Sequence, residues 1–405
     1  MNATQSLRAV SSPALPRAAQ LVLAMLHGIQ GGSLALHLPD GSQHIVGNGP
    51  LHATLTAQDW QVFERIVSHG SIGFGEAFMA GQWQTDHLPA LLTLLAKNRA
   101  ALTKAIHGNF FRLIAHRLWH SLRANTRKGS RKNIEAHYDL GNDFYALWLD
   151  ETMSYSSARY AAPDMDFVAA QVEKYRQVLR SLAVQPGQHI LEIGCGWGGF
   201  AEIATREFGC RVTGLTLSHE QLAWAQARAE RKGFAGQAEF VLRDYRDARG
   251  RYDHIVSIEM IEAVGESYWP SYFAQLNTLL KPGGRAVVQA ITIDDGLFAH
   301  YRRDVDFIQR YIFPGGMLPS PKGFQQQAQR AGLAVCEELA FGLDYARTLG
   351  EWLQRFNAQL DAVRAQGFDE RFVRMWQFYL AYCEAGFRAG STDVYQFVLS
   401  HEARS

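Results

Sequence analysis

Apolar and polar positions along this chain fall into two regimes. From Asn133 onward, short apolar runs alternate with stretches of helical period. Ile190-Leu191-Glu192-Ile193 runs into the cluster Gly194-Cys195-Gly196-Trp197-Gly198-Gly199, and a helical pattern follows from Phe200. This order predicts a buried parallel strand, a tight turn and a helix N-terminus. A helix over Phe167–Leu182 precedes it, ending at a Gln185-Pro186-Gly187 turn. A second strand over Cys210–Leu215 leads to a helix over Glu220–Lys232. Phe240-Val241-Leu242, His254–Ile258 and Arg285–Ile293 read as further strands, the last after a Lys281-Pro282-Gly283-Gly284 turn. Such alternation predicts an α/β fold with a doubly wound, mostly parallel sheet, which binds its ligands at the carboxyl ends of the strands. Two aromatic-rich helical stretches, Leu349–Phe368 and Arg371–Arg388, close the chain.

The N-terminal part reads differently. Residues 1–15 are small and polar with two prolines and predict a disordered leader. Residues 16–103 predict a small α+β domain: a helix over Arg17–Gln30, then a hairpin over Ser33–Gly47 around Asp40-Gly41. Two more helices, Ala57–Ser68 and Leu88–Ala100, are separated by the glycine-rich run from Gly70 to Glu76. No catalytic chemistry is visible in this domain, which reads as a packing, dimerisation or lipid-contact unit. Residues 104–132 carry Lys104, Arg112, Arg117, Arg123, Arg127, Lys128, Arg131 and Lys132 with no acidic residue among them. Phe110, Phe111, Ile114, Leu118, Trp119 and Leu122 interleave at helical spacing, so a basic amphipathic linker helix is expected, lying on an anionic lipid surface or on the next domain. No recognised nucleic-acid motif accompanies the charge. The domain from 133 to 405 carries the strand–helix alternation.

Composition changes this picture little. The 405 residues are 47% hydrophobic and 20% charged, the mixture of an ordinary globular chain, and the net charge of +1 favours no class of partner. Cys195, Cys210, Cys336 and Cys383 have no paired spacing for zinc or a disulfide framework, so no metal is expected and a reducing cytoplasm is the simplest setting. Ala18–Leu26 is short for a signal sequence and follows a polar leader, and no stretch reaches membrane-spanning length.

The glycine turn raises the question of its ligand. A dinucleotide site wants an acidic residue near the end of the next strand, yet that strand runs into Thr216-Leu217-Ser218-His219-Glu220-Gln221 with no Asp or Glu at its end. No Gly-Lys-Ser/Thr sequence is present for phosphate binding. S-adenosylmethionine, a nucleoside without phosphates, fits better than NAD or ATP. Ser156, Gly196, Thr216, Asp244-Tyr245, Ser257 and Gln289 fall at or near the strand ends, or on the loop covering them. Gln221, one turn into the following helix, can offer its amide to ribose hydroxyls.

His137–Phe144, Tyr155-Ser156, Leu191–Gly199, Gln221, Arg243-Asp244-Tyr245-Arg246, Glu259–Gly265 and Phe307–Gly316 together resemble the cyclopropane fatty acid synthases. The resemblance covers roughly residues 130–400, and the N-terminal unit resembles the leading domain of the phospholipid-acting members. It implies methyl transfer from S-adenosylmethionine to the double bond of unsaturated acyl chains of membrane phospholipids. That activity would place the protein in the cytoplasm, peripheral on the inner face of the membrane, with a homodimer one arrangement. For the cofactor it points to Tyr155, Ser156, Gly194, Gly196, Thr216, Leu217, Gln221, Tyr245 and Ser257. Family members deprotonate with a bound bicarbonate, and its five positions carry over to Ser157, Glu262, Gln289, Ile291 and Tyr345. Ser157 stands where the family has Cys, and Gln289 where it has His. Both can hydrogen-bond an anion, but Gln289 cannot relay a proton. The resemblance implies a cyclopropane as the product; the departure at Gln289 bears on the deprotonation step and makes a methylene or methyl-branched chain the alternative within the family. Glu262 sits in apolar surroundings, where a carboxylate is costly unless paired or functional; Glu259 reads as supporting it. Cys383 matches a family cysteine regarded as catalytic, although sulfonium methyl transfer needs no thiolate and a packing role is favoured. Outside the family, the rivals are a methyltransferase of a soluble small molecule and a non-catalytic lipid carrier.

Overall fold

The computed structural model describes residues 15–104 and 140–402. The expected leader, all of the basic linker helix beyond Lys104, and His137–Asp139 therefore lie outside the described residues.

In the N-terminal unit a first helix, Arg17–Leu26, is followed by β1 (Gly32–His37) and β2 (Gln43–Asn48). These two pair antiparallel around Asp40-Gly41, where Gly41 takes φ 83° and Asp40 accepts from Ser42 N at 2.9 Å. A strand that periodicity did not reveal, β3 (Leu51–Ala57), runs parallel to β1 on its other side, and the short β4 (Trp83–Gln84) completes the order β2-β1-β3-β4. Alternation buries Leu34, Leu36, Ala53 and Leu55.

Two helical segments within Gln61–Met79 meet at Gly70, whose φ of 57° and ψ of −133° are not helical, so the first helix does end where the glycine-rich run begins, while the rest of the run is helical. Glycine within the run serves close packing. A Cβ on Gly75 would lie 2.6 Å from the Phe307 ring and 3.0 Å from Phe378, so glycine lets the helix rest directly on the C-terminal half of the chain. Beside it Trp83 stacks on Phe74 with centroids 4.2 Å apart, and the Arg374 guanidinium sits 5.4 Å over Phe78 while donating to its carbonyl at 3.2 Å. The helix Leu88–Lys97 and the short Arg99–Lys104 finish the unit.

The second sheet has the order β10-β11-β9-β8-β5-β6-β7. Its core is parallel, as the alternation predicts: β5 (His189–Ile193), β6 (Arg211–Thr216), β7 (Ala238–Leu242), β8 (Tyr252–Ile258) and β9 (Leu280–Ile293). Two further strands were not anticipated. β11 (Thr392–His401) pairs antiparallel with β9 and places Gln396 opposite Gln289, and β10 (Leu333–Ala340) pairs antiparallel with β11 at the sheet edge. The expected Lys281–Gly284 turn falls within the start of β9, at a register shift between Tyr252 and His254. The helix Phe167–Leu182 begins at Asp166, which caps Ala169 N at 2.8 Å. The helices Gly342–Ala358 and Glu370–Arg388 bury Trp352, Trp376 and Tyr345. Strand order reverses between β5 and β8, which opens a crevice at their carboxyl ends. Among the described residues no helix is long and apolar enough to cross a membrane.

Candidate active site

The crevice begins at the glycine turn. Gly194 (φ 85°), Gly196 (φ 49°) and Gly198 (φ 83°) carry the chain from β5 into the helix Gly199–Arg206, and Gly194 N and Cys195 N both donate to Leu215 O of β6. A Cβ on Gly196 would meet nothing within 4 Å, so this turn faces open space into which a ligand can come against the backbone. At the end of β6, Thr216 donates to Gln221 Oε1 at 2.9 Å and accepts from Ser218 N at 3.1 Å, which holds the Gln221 amide against the strand end. Leu217 lies between them, half-buried. Tyr245 follows β7, its hydroxyl pushed up to about 12 by burial, and buried Ser257 lies near the end of β8. Glu192, the charged residue inside the apolar β5, has an oxygen with no hydrogen-bond partner, and burial holds its carboxyl well above the usual range. An open backbone turn beside an unsatisfied carboxylate suits a cationic nucleoside such as S-adenosylmethionine.

A loop covers these ends. Its Tyr155 hydroxyl bonds Tyr379 at 2.7 Å, and Ser156 Oγ accepts from the Lys174 ammonium at 2.6 Å. Lys174 is fully buried on the helix 167–182, also donates to Gln171 Oε1 at 2.7 Å, and is pushed down to about 8 by burial, with Glu259, Asp150 and Glu192 opposing. Neither Lys174 nor Glu192 was picked out from sequence. Each had a visible signal, a charge standing in an apolar helical stripe or an apolar strand.

Three of the five residues expected to hold bicarbonate, Ser157, Gln289 and Tyr345, converge on Glu259, while Ile291 and Glu262 pair with each other. Oε1 of Glu259 accepts from Ser157 N at 2.8 Å and from Gln289 Nε2 at 2.8 Å, and its Oε2 accepts from the Tyr345 hydroxyl at 2.6 Å. The Ser157 hydroxyl, expected to face an anion, instead donates to Ala158 O at 2.9 Å. Gln289 is fixed from behind by Gln396, whose amide donates to Gln289 Oε1 at 2.9 Å. Glu259 takes the left-handed conformation (φ 49°), rare for a residue with a side chain, and this turns its carboxylate inward. Two donors assigned to an external anion, with the Ser157 backbone N–H as a third, are thus engaged by a carboxylate of the chain, and the residues present do not fit bicarbonate as well. Glu259, read from sequence only as a support for Glu262, is the centre of the cluster.

Glu262 stands one turn further on. Its Oε1 accepts from Ile291 N at 2.6 Å, and its Oε2 has no partner. Burial first, and then the neighbouring Glu259, push its carboxyl up to about 8. Both carboxylates line an apolar cavity of about 560 Å³, so the surface they retain is cavity wall. Tyr155, Ile291, Tyr345, Tyr379 and Cys383 share that wall. Burial holds the Cys383 thiol far above its usual range, so it is a protonated, apolar wall element. Aromatic rings crowd this end: Tyr155 lies 5.3 Å from Trp352, and Tyr345 stacks on Phe387 at 4.6 Å.

A family model, mycolic acid cyclopropane synthetase, matches residues 125–397. The chain belongs to this family. It is 43% identical over 347 residues to the tuberculostearic acid methyltransferase UfaA1 of Mycobacterium tuberculosis, covering 84% of this chain and 81% of that protein. It is 34% identical over 361 residues to the cyclopropane-fatty-acyl-phospholipid synthase of Escherichia coli, covering 87% and 89%. Among solved structures, mycolic acid cyclopropane synthase CmaA1 complexed with SAH and CTAB matches with a TM-score of 0.63 at 32% identity, covering 66% of this chain and 97% of that one. Like the family, this chain has the class I, Rossmann-like methyltransferase fold and is an S-adenosylmethionine-dependent C-methyltransferase.

Proposed function

We propose that this enzyme methylates the double bond of unsaturated acyl chains of membrane phospholipids, and that its product is a methylene chain rather than a ring. Gly194 and Gly196 would lie along the cofactor, Thr216, Leu217 and Gln221 at its ribose, and Tyr245 and Ser257 toward its base. Tyr155 and Ser156, with Glu192, would hold its amino-acid end. Bound there, S-adenosylmethionine supplies a methyl group on a positively charged sulfur. The electron pair of the double bond would take that methyl as the sulfur–methyl bond breaks and its pair stays on sulfur, which leaves as neutral S-adenosylhomocysteine, with a secondary carbocation on the adjacent chain carbon. The apolar cavity keeps water from quenching it, and the tyrosine and tryptophan faces together with the Glu259 carboxylate stabilise the charge.

The fate of the cation depends on the base. Immediate loss of a proton from the new methyl, with bonding to the cationic carbon, closes a cyclopropane. If the proton stays, hydride moves from the methylated carbon to its neighbour and gives a tertiary cation. Loss of a methyl proton to a carboxylate of the site then leaves a methylene branch, a C=CH₂ on an open chain. The observation that carries the second outcome is Glu259 in place of a free anion. Burial holds its carboxyl above the usual range, but the three donated hydrogen bonds oppose that shift and occupy both oxygens, which slows their taking a proton. Glu262, with one oxygen unengaged, is largely protonated at neutral pH, because its carboxyl is pushed up to about 8. A slow base gives the hydride time to move. The 43% identity to a tuberculostearic acid methyltransferase supports the same reading.

The test is proton NMR and mass spectrometry of monounsaturated phospholipid vesicles after incubation with enzyme and S-adenosylmethionine, with and without bicarbonate. Gain of one CH₂ with alkene protons retained, independent of bicarbonate, is expected. Upfield ring protons appearing only with bicarbonate would overturn the proposal. Binding of the protein to anionic vesicles, and its partition with the inner membrane face, belong to the same reading and are read by co-sedimentation.

A further inference from the structure

The cavity that holds the two carboxylates does not end in the catalytic domain. It is continuous with the interior of the N-terminal unit, where Leu34, Leu36, Leu55, Phe63, Leu92 and Ala96 form its wall. These residues come from every layer of that unit. Leu34 and Leu36 lie on one face of β1, Leu55 on the neighbouring β3, Phe63 on the helix 61–79, and Leu92 and Ala96 on the helix 88–97. All of them line a space that no side chain of the described residues fills. Protein interiors pack as tightly as organic crystals, and a void of this kind forfeits both contacts and burial. About 560 Å³ lies in the range of sites for small organic ligands, roughly 300–1,000 Å³.

The polar lining of the cavity includes Ser71 and His300, which are exposed and so mark where it meets solvent, and the half-buried Arg99 and Asp304. The hydrophobic interior of the unit is the opposite extreme and offers nothing to a headgroup. Only the methyl end of an acyl chain can be buried there without stranding a polar group. The unit also lies outside the matched family residues 125–397, and 66% of this chain suffices to span 97% of the solved MmaA2 chain. It is an addition to the catalytic domain, joined to it through Gly75 and its contacts with Phe307 and Phe378.

We infer that the core of the N-terminal unit is an acyl-chain pocket that takes the methyl end of the chain whose double bond lies at Glu259 and Glu262. The inference rests on the acyl substrate proposed above and gives the unit the role of a ruler. The depth of the pocket measures the carbons beyond the double bond, and so selects which chains are methylated.

Two measurements on the full-length protein test it. In the first, vesicles contain a monounsaturated phospholipid with a diazirine near the methyl end of the unsaturated chain, and cross-linked peptides are mapped after illumination. Labels within residues 17–102 are expected. Labels confined to residues 140–402, from enzyme that methylates the same vesicles, would overturn the inference. So would labelling of 17–102 only when the diazirine is on the second, saturated chain. Labels within 17–102 from protein that methylates no lipid would leave the pocket standing and remove the proposed reaction. The second measurement is Ala96→Phe, which fills the pocket far from the chemistry. It is assayed on fourteen- and eighteen-carbon chains with the double bond equally far from the carboxyl carbon. A loss of about tenfold or more for the longer chain relative to the shorter is expected, since even one methylene is worth about that much in an apolar pocket. An unchanged ratio in folded variant would overturn the inference; if the variant does not fold, the cross-linking on the native protein decides.

Discussion

The Tyr345 hydroxyl donates to Oε2 of Glu259 at 2.6 Å, joining the helix 342–358 to the residue that follows β8. The bond engages a donor that would otherwise face an external anion. With Ser157 N and Gln289 Nε2 on the other oxygen, both oxygens are engaged, so a proton must displace a donor even though burial holds the carboxyl above its usual range.

Removing that carboxylate should therefore recreate an anion site. In Glu259→Gly the three donors converge on an empty position, and glycine is the residue best suited to the φ of 49° found there. Without bicarbonate, turnover is expected to fall about a hundredfold or more, the usual scale for a lost acid–base group. Added bicarbonate should restore part of it, with ring protons appearing in the lipid NMR spectrum. Glu259→Gln, which keeps the position filled, should not be rescued. Equal response of both variants to bicarbonate would remove Glu259 from the role given to it.

Lys174 holds the loop over the cofactor through Ser156 Oγ. Lys174→Met keeps the length and apolar stem but strands Ser156 and Gln171. Hydrogen bonds to a charged group are worth about 1.5–3 kcal/mol, so S-adenosylmethionine affinity should weaken by roughly ten- to a hundredfold. Calorimetry reads this directly, and circular dichroism checks the fold. Unchanged affinity would mean that Ser156 needs no such support.

Much of this arrangement was legible in the sequence, and the parts that were not have physical causes. The parallel strands announce themselves because a strand covered on both faces is a continuous apolar run, as Ile190–Ile193 and His254–Ile258 are nearly. β11 was missed because its residues, Val394 to Leu399, follow directly on an apolar helix, and no turn signal stronger than Gly390-Ser391 marks the change. The run from Gly70 to Glu76 reads as a break because glycine disfavours helix, and Gly70 is one; the helix that resumes after it keeps Gly75 for contact with Phe307 and Phe378. The converging donors Ser157, Gln289 and Tyr345 were placed by resemblance. What they converge on was not foreseen, because it depends on a single left-handed residue after β8, and no periodicity encodes a backbone reversal of one residue. The shared cavity was invisible too, since an apolar stripe facing a void reads the same as one facing a packed core.

Cys383 lines the cavity, yet its thiol is held far above the usual range by burial, so no thiolate is present for nucleophilic work. Cys383→Ala should retain activity within about threefold, the change arising from a slightly wider wall. Iodoacetamide at pH 8 should leave Cys383 unmodified in the folded enzyme, as mass mapping would show. Loss of activity by about a hundredfold, on the scale of a lost acid–base or nucleophilic group, would return the cysteine to the chemistry.

Glu262 makes stability and activity move in opposite directions with pH. Its carboxyl is raised from 4.5 to about 8 in the folded protein, so between those values the native state keeps a proton that the unfolded chain has lost. Stability contributed by this group is full below about 4.5, falls as pH rises, and is gone above about 8. At roughly 1.4 kcal/mol per pKa unit the total is a few kcal/mol. Proton abstraction by Glu262 needs the form that destabilises the fold, so turnover should climb toward a plateau above pH 8 while the melting temperature declines. Glu262→Gln separates the two effects. Its amide oxygen can still accept from Ile291 N, and it carries no charge at any pH. The variant should melt above the wild type at pH 9, match it near pH 5, and lose the rising limb of the pH–rate profile along with most activity. A wild-type melting temperature that stays level between pH 5 and 9, alongside the same behaviour in the variant, would show that Glu262 is ionised throughout and that Glu259 alone answers for the slow base.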